Sequence, residues 1–188
     1  TGTITIPATC ISIGSRAFKN TKMTTLTFAS GTKCEAIGEY AFADCNSLAT
    51  ITGNALPATL KQVDQFSFYG CALTTINVNT DVTVIKQAAF ANNTKLASVT
   101  IGAAVDTIEE HAFANCPITT LAYNAKNLVN HNDTFANHNT LKTVTFGATV
   151  TELPEGIFRN SKQITGTIAI PAACLKIGNA AFSGCSKI

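Results

Sequence analysis

The side chains best suited to acid–base chemistry gather in one short segment, NHNDTFANH, which covers residues 130–138. His131 and His138 flank Asp133 in this segment. Nucleophilic catalysis requires a serine or cysteine that such a base and acid activate. The same residue types also form polar turns, and we interpret the segment as a loop. The chain contains no G-x-S-x-G, H-E-x-x-H or phosphate-binding glycine motif, so we predict neither an enzymatic activity nor a cofactor.

Cysteine is the other residue type with chemical potential, and the chain contains seven. Each lies either eight residues before or three residues after a phenylalanine that recurs along the chain: Cys10, Cys34 and Cys174 before it, and Cys45, Cys71, Cys116 and Cys185 after it. Valine takes the first of these positions at Val82, Val105 and Val150, which indicates an apolar core where a free thiol behaves as a small hydrophobe. Disulfides such as Cys10–Cys34 or Cys45–Cys71 remain conceivable, since stacked strands bring Cα atoms within bridging range. A metal site is not expected, because no C-x-x-C pair occurs.

The element that positions these groups is a sequence repeat, marked by a phenylalanine that usually follows alanine. The gaps between successive markers are 24, 26, 22, 23, 22, 23 and 24 residues. The markers are Phe18, Phe42, Phe68, Phe90, Phe113, Phe135, Phe158 and Phe182. Self-similarity at this period is typical of stacked repeats. We therefore predict that residues 1–188 form a single repeat domain, and the lack of a polar cap at either end predicts a section of a longer array.

Other positions keep a constant distance from the marker phenylalanine. An apolar residue precedes it by five positions in every repeat except the sixth, which has Asn130. The residue two positions after it is always Asn, Asp or Gly, which adopt left-handed backbone angles most readily. An alternating apolar pattern follows, as in Leu96, Val99 and Ile101, and predicts a half-buried strand. Each unit is thus predicted to contain a strand, a connection, a short helical or 3₁₀ segment and a tight return.

No unit of this size can bury its apolar residues alone, so the units are expected to stack into a solenoid. Stacking places each marker phenylalanine on the next one and makes the eight rings a continuous core ladder. Removing one internal ring, as in Phe90→Ala, is expected to cost about 3–5 kcal/mol.

The side chains that face away from this core along the predicted strands are small, polar and uncharged. The candidate ligand-binding residues on this face are Thr25, Thr27, Thr50, Thr52, Thr75, Asn77, Ser98, Thr100, Thr120, Thr143 and Thr145. Threonine also suits any strand with one side in water, so solvation alone explains the pattern as well as binding does. A third interpretation, an array that orders water, requires a flat sheet and an unbroken Thr-x-Thr pattern, which only four repeats keep.

The composition excludes several classes of protein. Apolar residues make up 46% and charged residues 13% of the 188 residues, which is too apolar for a disordered chain. No apolar run approaches the roughly 20 residues that span a bilayer, so membrane insertion is not expected. The net charge of +2 comes from scattered Lys and Arg, and without a basic stripe we predict no nucleic-acid partner.

The segments IGSRAFKN, IGEYAFADCNSLATI and IGNAAFSGCSKI resemble the BspA-type leucine-rich repeat, whose pattern is I-G-x-x-A-F-x-x-C-x-x-L-x-x-I-x-I-P. The resemblance extends over nearly the whole chain. It implies a right-handed α/β leucine-rich-repeat solenoid with about eight repeats of 22–26 residues, in which one parallel sheet lies opposite short helical or 3₁₀ segments. It also implies a secreted or cell-surface location, since several members are adhesins that bind host matrix proteins or other microbes.

Two functions follow as hypotheses: a non-enzymatic module for adhesion to a host or microbial protein or glycan, and a spacer that holds another domain away from the cell. Departures from the repeat pattern predict three irregular units. They are AKNLVNHNDTF, where Thr134 replaces alanine, VDQFSF, where Ser67 replaces alanine, and the unit around Gly53. Matches to the N-glycosylation pattern begin at Asn92 and Asn132.

Overall fold

In the computed structural model, which describes residues 2–78, 81–129 and 134–188, the backbone winds into a solenoid of about seven turns. We number the coils first to eighth by their marker phenylalanine. A regular coil carries a longer strand, a two-residue strand and then the segment with the phenylalanine. Strands of neighbouring coils pair in parallel, with corresponding residues of successive repeats opposite each other. The predicted solenoid of stacked repeats is therefore confirmed.

The longer strands start at the outward threonine positions, because alternating polar and apolar residues suit a strand with one buried face. They are β1 Thr3–Ile6, β3 Thr25–Phe28, β5 Thr50–Ile51, β7 Thr75–Asn77, β9 Ser98–Ile101, β11 Thr120–Tyr123 and β12 Thr143–Phe146. Among them, β5 has only two residues because a 3₁₀ helix begins directly after it. They form two sheets, ordered β1-β3-β5 and β7-β9-β11-β12. Between the sheets, the 3₁₀ helix η1 (Thr52–Asn54) turns the chain at Gly53, whose φ is 77°, and Ala55 bridges to Asn77. The irregularity predicted at Gly53 is thus confirmed.

A second ladder, built from two-residue strands, contains the apolar residue that lies five positions before the phenylalanine. These strands are β2 Ser12–Ile13, β4 Ala36–Ile37, β6 Gln62–Val63, β8 Val84–Ile85, β10 Thr107–Ile108, β13 Glu152–Leu153 and β14 Lys176–Ile177. They pair as β2-β4, β6-β8-β10 and β13-β14. The prediction of one parallel sheet is therefore wrong, because two residues are too few for alternation to reveal a strand. Asn130, the exception in the sixth repeat, lies outside the described residues.

The segments around the marker phenylalanine are series of overlapping turns, so the helical or 3₁₀ segments predicted there, and with them the α/β class, are not confirmed. In the first coil, Arg16, Phe18 and Asn20 donate their N–H groups to carbonyls of the second coil at 2.8–2.9 Å. The N–H groups between them close turns with carbonyls three residues back in the same coil. A helix would direct every N–H along its own axis. Every second N–H group of the segment donates to the neighbouring coil. The segment therefore cannot form the consecutive hydrogen bonds of a helix.

Two positions in each regular turn segment have left-handed backbone angles. All eight residues two positions after the phenylalanine have φ between 57° and 78°, so the prediction from their Asn, Asp or Gly identity is confirmed. The second position, two residues before the phenylalanine, was not predicted, because it accepts bulky residues. It holds Arg16, Tyr40, Phe66, Ala88, His111, Gly156 and Ala180. A left-handed conformation costs a non-glycine residue about 1–2 kcal/mol, which the bonds between coils offset.

The marker phenylalanines stack continuously from Phe18 to Phe182. From Phe18 to Phe113 the ring centroids are 5.2–5.5 Å apart and the interplanar angles are 1–11°. On the two sides of Phe135 the distances increase to 6.0 and 6.2 Å, and the rings tilt by 28° and 24°. The third coil is regular despite its altered sequence, because Ser67 is fully buried in the alanine position. The irregularity predicted for VDQFSF is therefore wrong.

The glycine of the Ile-Gly pair allows close approach of coils. A Cβ atom added to Gly38 would lie 2.7 Å from the backbone nitrogen of Ser15, and one added to Gly178 would lie 2.5 Å from the nitrogen of Glu155. Real Cβ atoms do not approach backbone atoms so closely. Gly14, which begins the series, has no heavy atom within 4 Å of the same point.

Candidate binding surfaces

The threonine face consists of the eleven candidate residues predicted above, Thr25 to Thr145, and lies on the outward side of the longer strands. All eleven are exposed or half-buried, whereas the apolar residues between them, such as Leu26, are fully buried. In-register pairing places Thr25 beside Thr50 and Thr120 beside Thr143. The face therefore presents rows of hydroxyl groups without a formal charge, which can donate and accept hydrogen bonds but cannot transfer protons at neutral pH.

The threonine face is divided into two patches at η1. Thr52 leaves the strand there, yet its hydroxyl stays 2.7 Å from the hydroxyl of Thr27. The first patch ends at Thr52 and the second begins at Thr75, with Ala55 in the bridging position between them. This division interrupts the continuous array that a water-ordering surface requires.

A row of hydrogen-bond donors lies three positions after the marker phenylalanine, and sequence reasoning recognised only its cysteines, as core residues. Thiols in this row donate to a phenylalanine carbonyl of the previous coil at 3.1–3.2 Å: Cys45 to Phe18, Cys71 to Phe42, Cys116 to Phe90 and Cys185 to Phe158. Ser161 and Asn93 make the equivalent bond at 2.8 Å. The cysteines thus satisfy backbone carbonyls as well as fill space. The sequence could have indicated this row, because with Thr21 and His138 every residue in it has a side chain that can donate a hydrogen bond.

All seven cysteines are free thiols in the structure. The contact with the Cys71 side chain, together with hydrogen bonds from Thr21, lowers the pKa of Cys45 to about 6 despite its burial. The same contact with Cys45, followed by burial, raises the pKa of Cys71 well above the usual value for a thiol. Burial raises the pKa of Cys116 to about 12. Because Cys45, Cys71 and Cys116 are almost completely inaccessible, these thiols serve the core and not a reaction with solutes.

An aromatic and cationic cluster, which the sequence pattern did not reveal, joins Arg16, Lys19, Tyr40, Phe66 and Tyr69. The rings of Tyr40 and Phe66 stack at 4.7 Å, and Tyr69 packs edge-on against Phe66 at 5.7 Å. The charged groups of Arg16 and Lys19 lie 5.4 and 5.0 Å from the centre of the Tyr40 ring. Tyrosine and arginine contribute strongly to protein interfaces, and the threonine face contains neither.

Part of the histidine segment lies outside the described residues, namely His131, Asp133 and Asn132, the residue at which one glycosylation pattern starts. His138 is half-buried with its Nδ1 3.3 Å from the hydroxyl of Thr140, and burial lowers its pKa. With His111 it borders an open cleft of about 490 Å³. The Cys116 thiol at this cleft donates to the Phe90 carbonyl instead of a histidine, so it forms no nucleophile–base pair there.

Across residues 2–78, 81–129 and 134–188, no three His, Cys, Asp or Glu side chains come together as a set of metal ligands. Within those ranges, no helix has both the length and the hydrophobicity needed to cross a bilayer.

The side-chain amide of Asn92, the other possible glycosylation site, donates a hydrogen bond to the hydroxyl of Tyr69.

A family model described as a BspA type leucine rich repeat region, with six copies, matches residues 12–139 and 61–188. The chain belongs to this family. The BspA-type repeat accounts for the Ile-Gly pair, the Ala-Phe pair and the following Cys or Asn, each of which has a structural role described above. Among curated proteins, none matches the chain significantly.

Two solved leucine-rich repeat proteins have the same fold. A leucine-rich repeat protein from Bacteroides ovatus has a TM-score of 0.61 and 23% identity over 96% of this chain and 51% of that one. The T. pallidum leucine-rich repeat protein has a TM-score of 0.62 and 21% identity over 99% of this chain and 77% of that one. The chain thus spans about half the length of the Bacteroides protein. At these identities the likeness shows the fold alone.

Proposed function

We propose that this chain is a non-catalytic interaction module that contacts a protein or glycan partner through the threonine face. The observation that carries the proposal is the presentation of hydroxyl groups in fixed, in-register rows on a rigid sheet. Such groups can form hydrogen bonds without first losing much side-chain freedom, since threonine has few rotamers. No assembled catalytic group competes with this function among the residues described.

The location that goes with this function is the cell surface or the extracellular space. The support is the resemblance to BspA-type repeats, in which adhesion to host matrix proteins or other microbes is a known role. The alternative function is a spacer that holds another domain away from the cell. A spacer would bind no partner through its repeats.

The test combines Thr50→Glu, Thr75→Glu and Thr143→Glu in one variant, which adds charge to both patches of the threonine face. Binding of wild type and variant to immobilised host matrix proteins and to microbial cells is measured by pull-down. We expect the variant to lose at least tenfold in binding, because an uncharged partner surface would have to desolvate the carboxylates. Circular dichroism and thermal unfolding establish that the variant remains folded.

The matched control places the same three charges at Thr94, Ser183 and Ser186, exposed hydroxyl residues outside the threonine face. The control is expected to bind as the wild type does. Equal binding by wild type and threonine-face variant would identify the face as the wrong site. A wild-type chain that binds none of the surfaces would favour the spacer.

A further inference from the structure

The cleft between the fifth and sixth coils is a separate concave site. Its volume is about 490 Å³, within the range of small-molecule sites. Its walls are the turn segments 111–116 and 134–140. It opens where the core stack begins to widen, since Phe113 and Phe135 lie 6.0 Å apart whereas Phe90 and Phe113 lie 5.3 Å apart. The site therefore lies at a place where the coils are less tightly packed than in the first five coils.

The cleft interrupts a ladder of side-chain amides along the turn segments. On one side, Nδ2 of Asn115 donates to Oδ1 of Asn92 at 2.7 Å. On the other side, Nδ2 of Asn160 donates to Oδ1 of Asn137 at 3.2 Å. Within the described part of the chain, no hydrogen bond joins the Asn115 and Asn137 side chains. The missing rung is a hydrogen bond from Nδ2 of Asn137 to Oδ1 of Asn115. Both residues line the cleft, so this NH₂ group and this carbonyl oxygen are available to a ligand there.

Further polar groups surround this open pair. The imidazoles of His111 and His138 and the hydroxyl of Thr140 line the same cleft. No lysine, arginine, aspartate or glutamate is found among the lining residues that the structure describes. The described part of the lining therefore offers several hydrogen-bond donors and acceptors and no carboxylate, ammonium or guanidinium group to balance an ionic ligand.

We propose that this cleft binds a neutral pyranose unit of a glycan. Sugar hydroxyls both donate and accept, and they match an amide carbonyl, an amide NH₂, imidazoles and a hydroxyl that face one cavity. A phosphate or carboxylate ligand would find no lysine or arginine among the described lining residues. The core rings offer no stacking surface to a planar base, because both faces of Phe113 are covered by Phe90 and Phe135. The site is independent of the threonine face and does not rest on its proposed role.

The experiment titrates ¹⁵N-labelled chain with the methyl glycosides of glucose, galactose, mannose and N-acetylglucosamine, up to tens of millimolar. Weak affinity is expected, since a single sugar forms few contacts. At least one glycoside is expected to shift the side-chain NH₂ signals of Asn115 and Asn137 and the backbone signals of residues 111–116. Sodium phosphate and adenosine serve as the anionic and planar probes.

The decisive variant is Asn137→Asp, which replaces the NH₂ donor by a carboxylate but keeps a residue type that Asp44 shows to be tolerated at this left-handed position. We expect its affinity for the glycoside to fall at least tenfold. Asn20→Asp, at the same position of the first coil, is expected to bind as the wild type does. The proposal is overturned if no glycoside shifts the cleft signals, if Asn137→Asp binds unchanged, or if phosphate or adenosine shifts those signals more strongly.

Discussion

The fourth and sixth coils of the solenoid show that the same repeat can be packed tightly or loosely against its neighbours. The fourth coil carries the short strand β8, and the ring of Phe90 lies 5.5 and 5.3 Å from its neighbours with tilts of 7° and 8°. In the sixth coil the ring of Phe135 lies 6.0 and 6.2 Å from its neighbours with tilts of 28° and 24°. Both rings are nonetheless completely buried.

This difference shows where a repeat protein can accept departures from its pattern. The stability of a stack is approximately the sum of its repeats and their nearest-neighbour interfaces, so a weak coil is tolerated between strong ones. The sixth coil keeps its core ring and loses tight packing at the turn segment. The opening between the fifth and sixth coils lies at this loosened segment.

The largest expected effect that tests this comparison comes from deleting the two rings. Phe90→Ala is expected to lower the free energy of unfolding by about 4 kcal/mol, because the tightly stacked neighbours cannot close the cavity. Phe135→Ala is expected to cost nearer 3 kcal/mol, since a ring that is farther from its neighbours has fewer dispersion contacts to lose. Urea unfolding measures both values. An equal or larger loss in Phe135→Ala would contradict the view that the sixth coil is loosely packed.

A second effect concerns the donor row three positions after the phenylalanine. Asn93 is fully buried and serves three backbone groups, the carbonyls of Phe68 and Phe90 and the N–H of Leu73. Asn93→Ala is expected to cost about 3 kcal/mol, because these groups lose their partner. The equivalent change in the sixth coil, His138→Ala, is expected to cost only about 1 kcal/mol. The comparison fails if the two losses, measured by thermal unfolding, are alike.

A smaller effect tests how closely regular coils approach each other. Gly38→Ala is expected to destabilise the chain by about 1–3 kcal/mol, since the new methyl group would meet the backbone of Ser15. Gly14→Ala, the matched change in the first coil, has open space and is expected to stay within about 0.5 kcal/mol of wild type. If both variants melt like the wild type, the coils are less tightly packed than the structure shows.

The smallest effect is a pH dependence specific to the sixth coil. Burial lowers the pKa of His138 in the folded state, so the neutral imidazole favours folding. Its contribution is complete above the unfolded value of about 6.5 and is lost as the pH falls below that value towards the folded pKa. His138→Gln is therefore expected to lose less stability than the wild type between neutral and mildly acidic pH. Parallel stability curves for the two proteins would show that His138 is not responsible.

Several features of the fold follow from the sequence alone because each coil meets the same neighbours. The spacing of the phenylalanines predicts the stack, and the Asn, Asp or Gly after each one predicts a left-handed turn. Both predictions hold because they depend on a local conformation that is repeated along the chain. Ser67 shows the limit of this reasoning: its departure from the pattern predicted an irregular coil, yet the hydroxyl group fits where a methyl group would.

The sequence by itself determined the repeat length, the core ladder and the uncharged outward face, since these follow from side-chain period and size. Only the tertiary structure decided that the phenylalanine segments are turns, because every second N–H group in them donates a hydrogen bond to the next coil. It also decided that bulky residues such as Tyr40 adopt left-handed angles, and that Asn115 and Asn137 face each other across an open cleft. These properties depend on the distance between coils, which is set by packing across the whole stack and is not encoded in any one repeat.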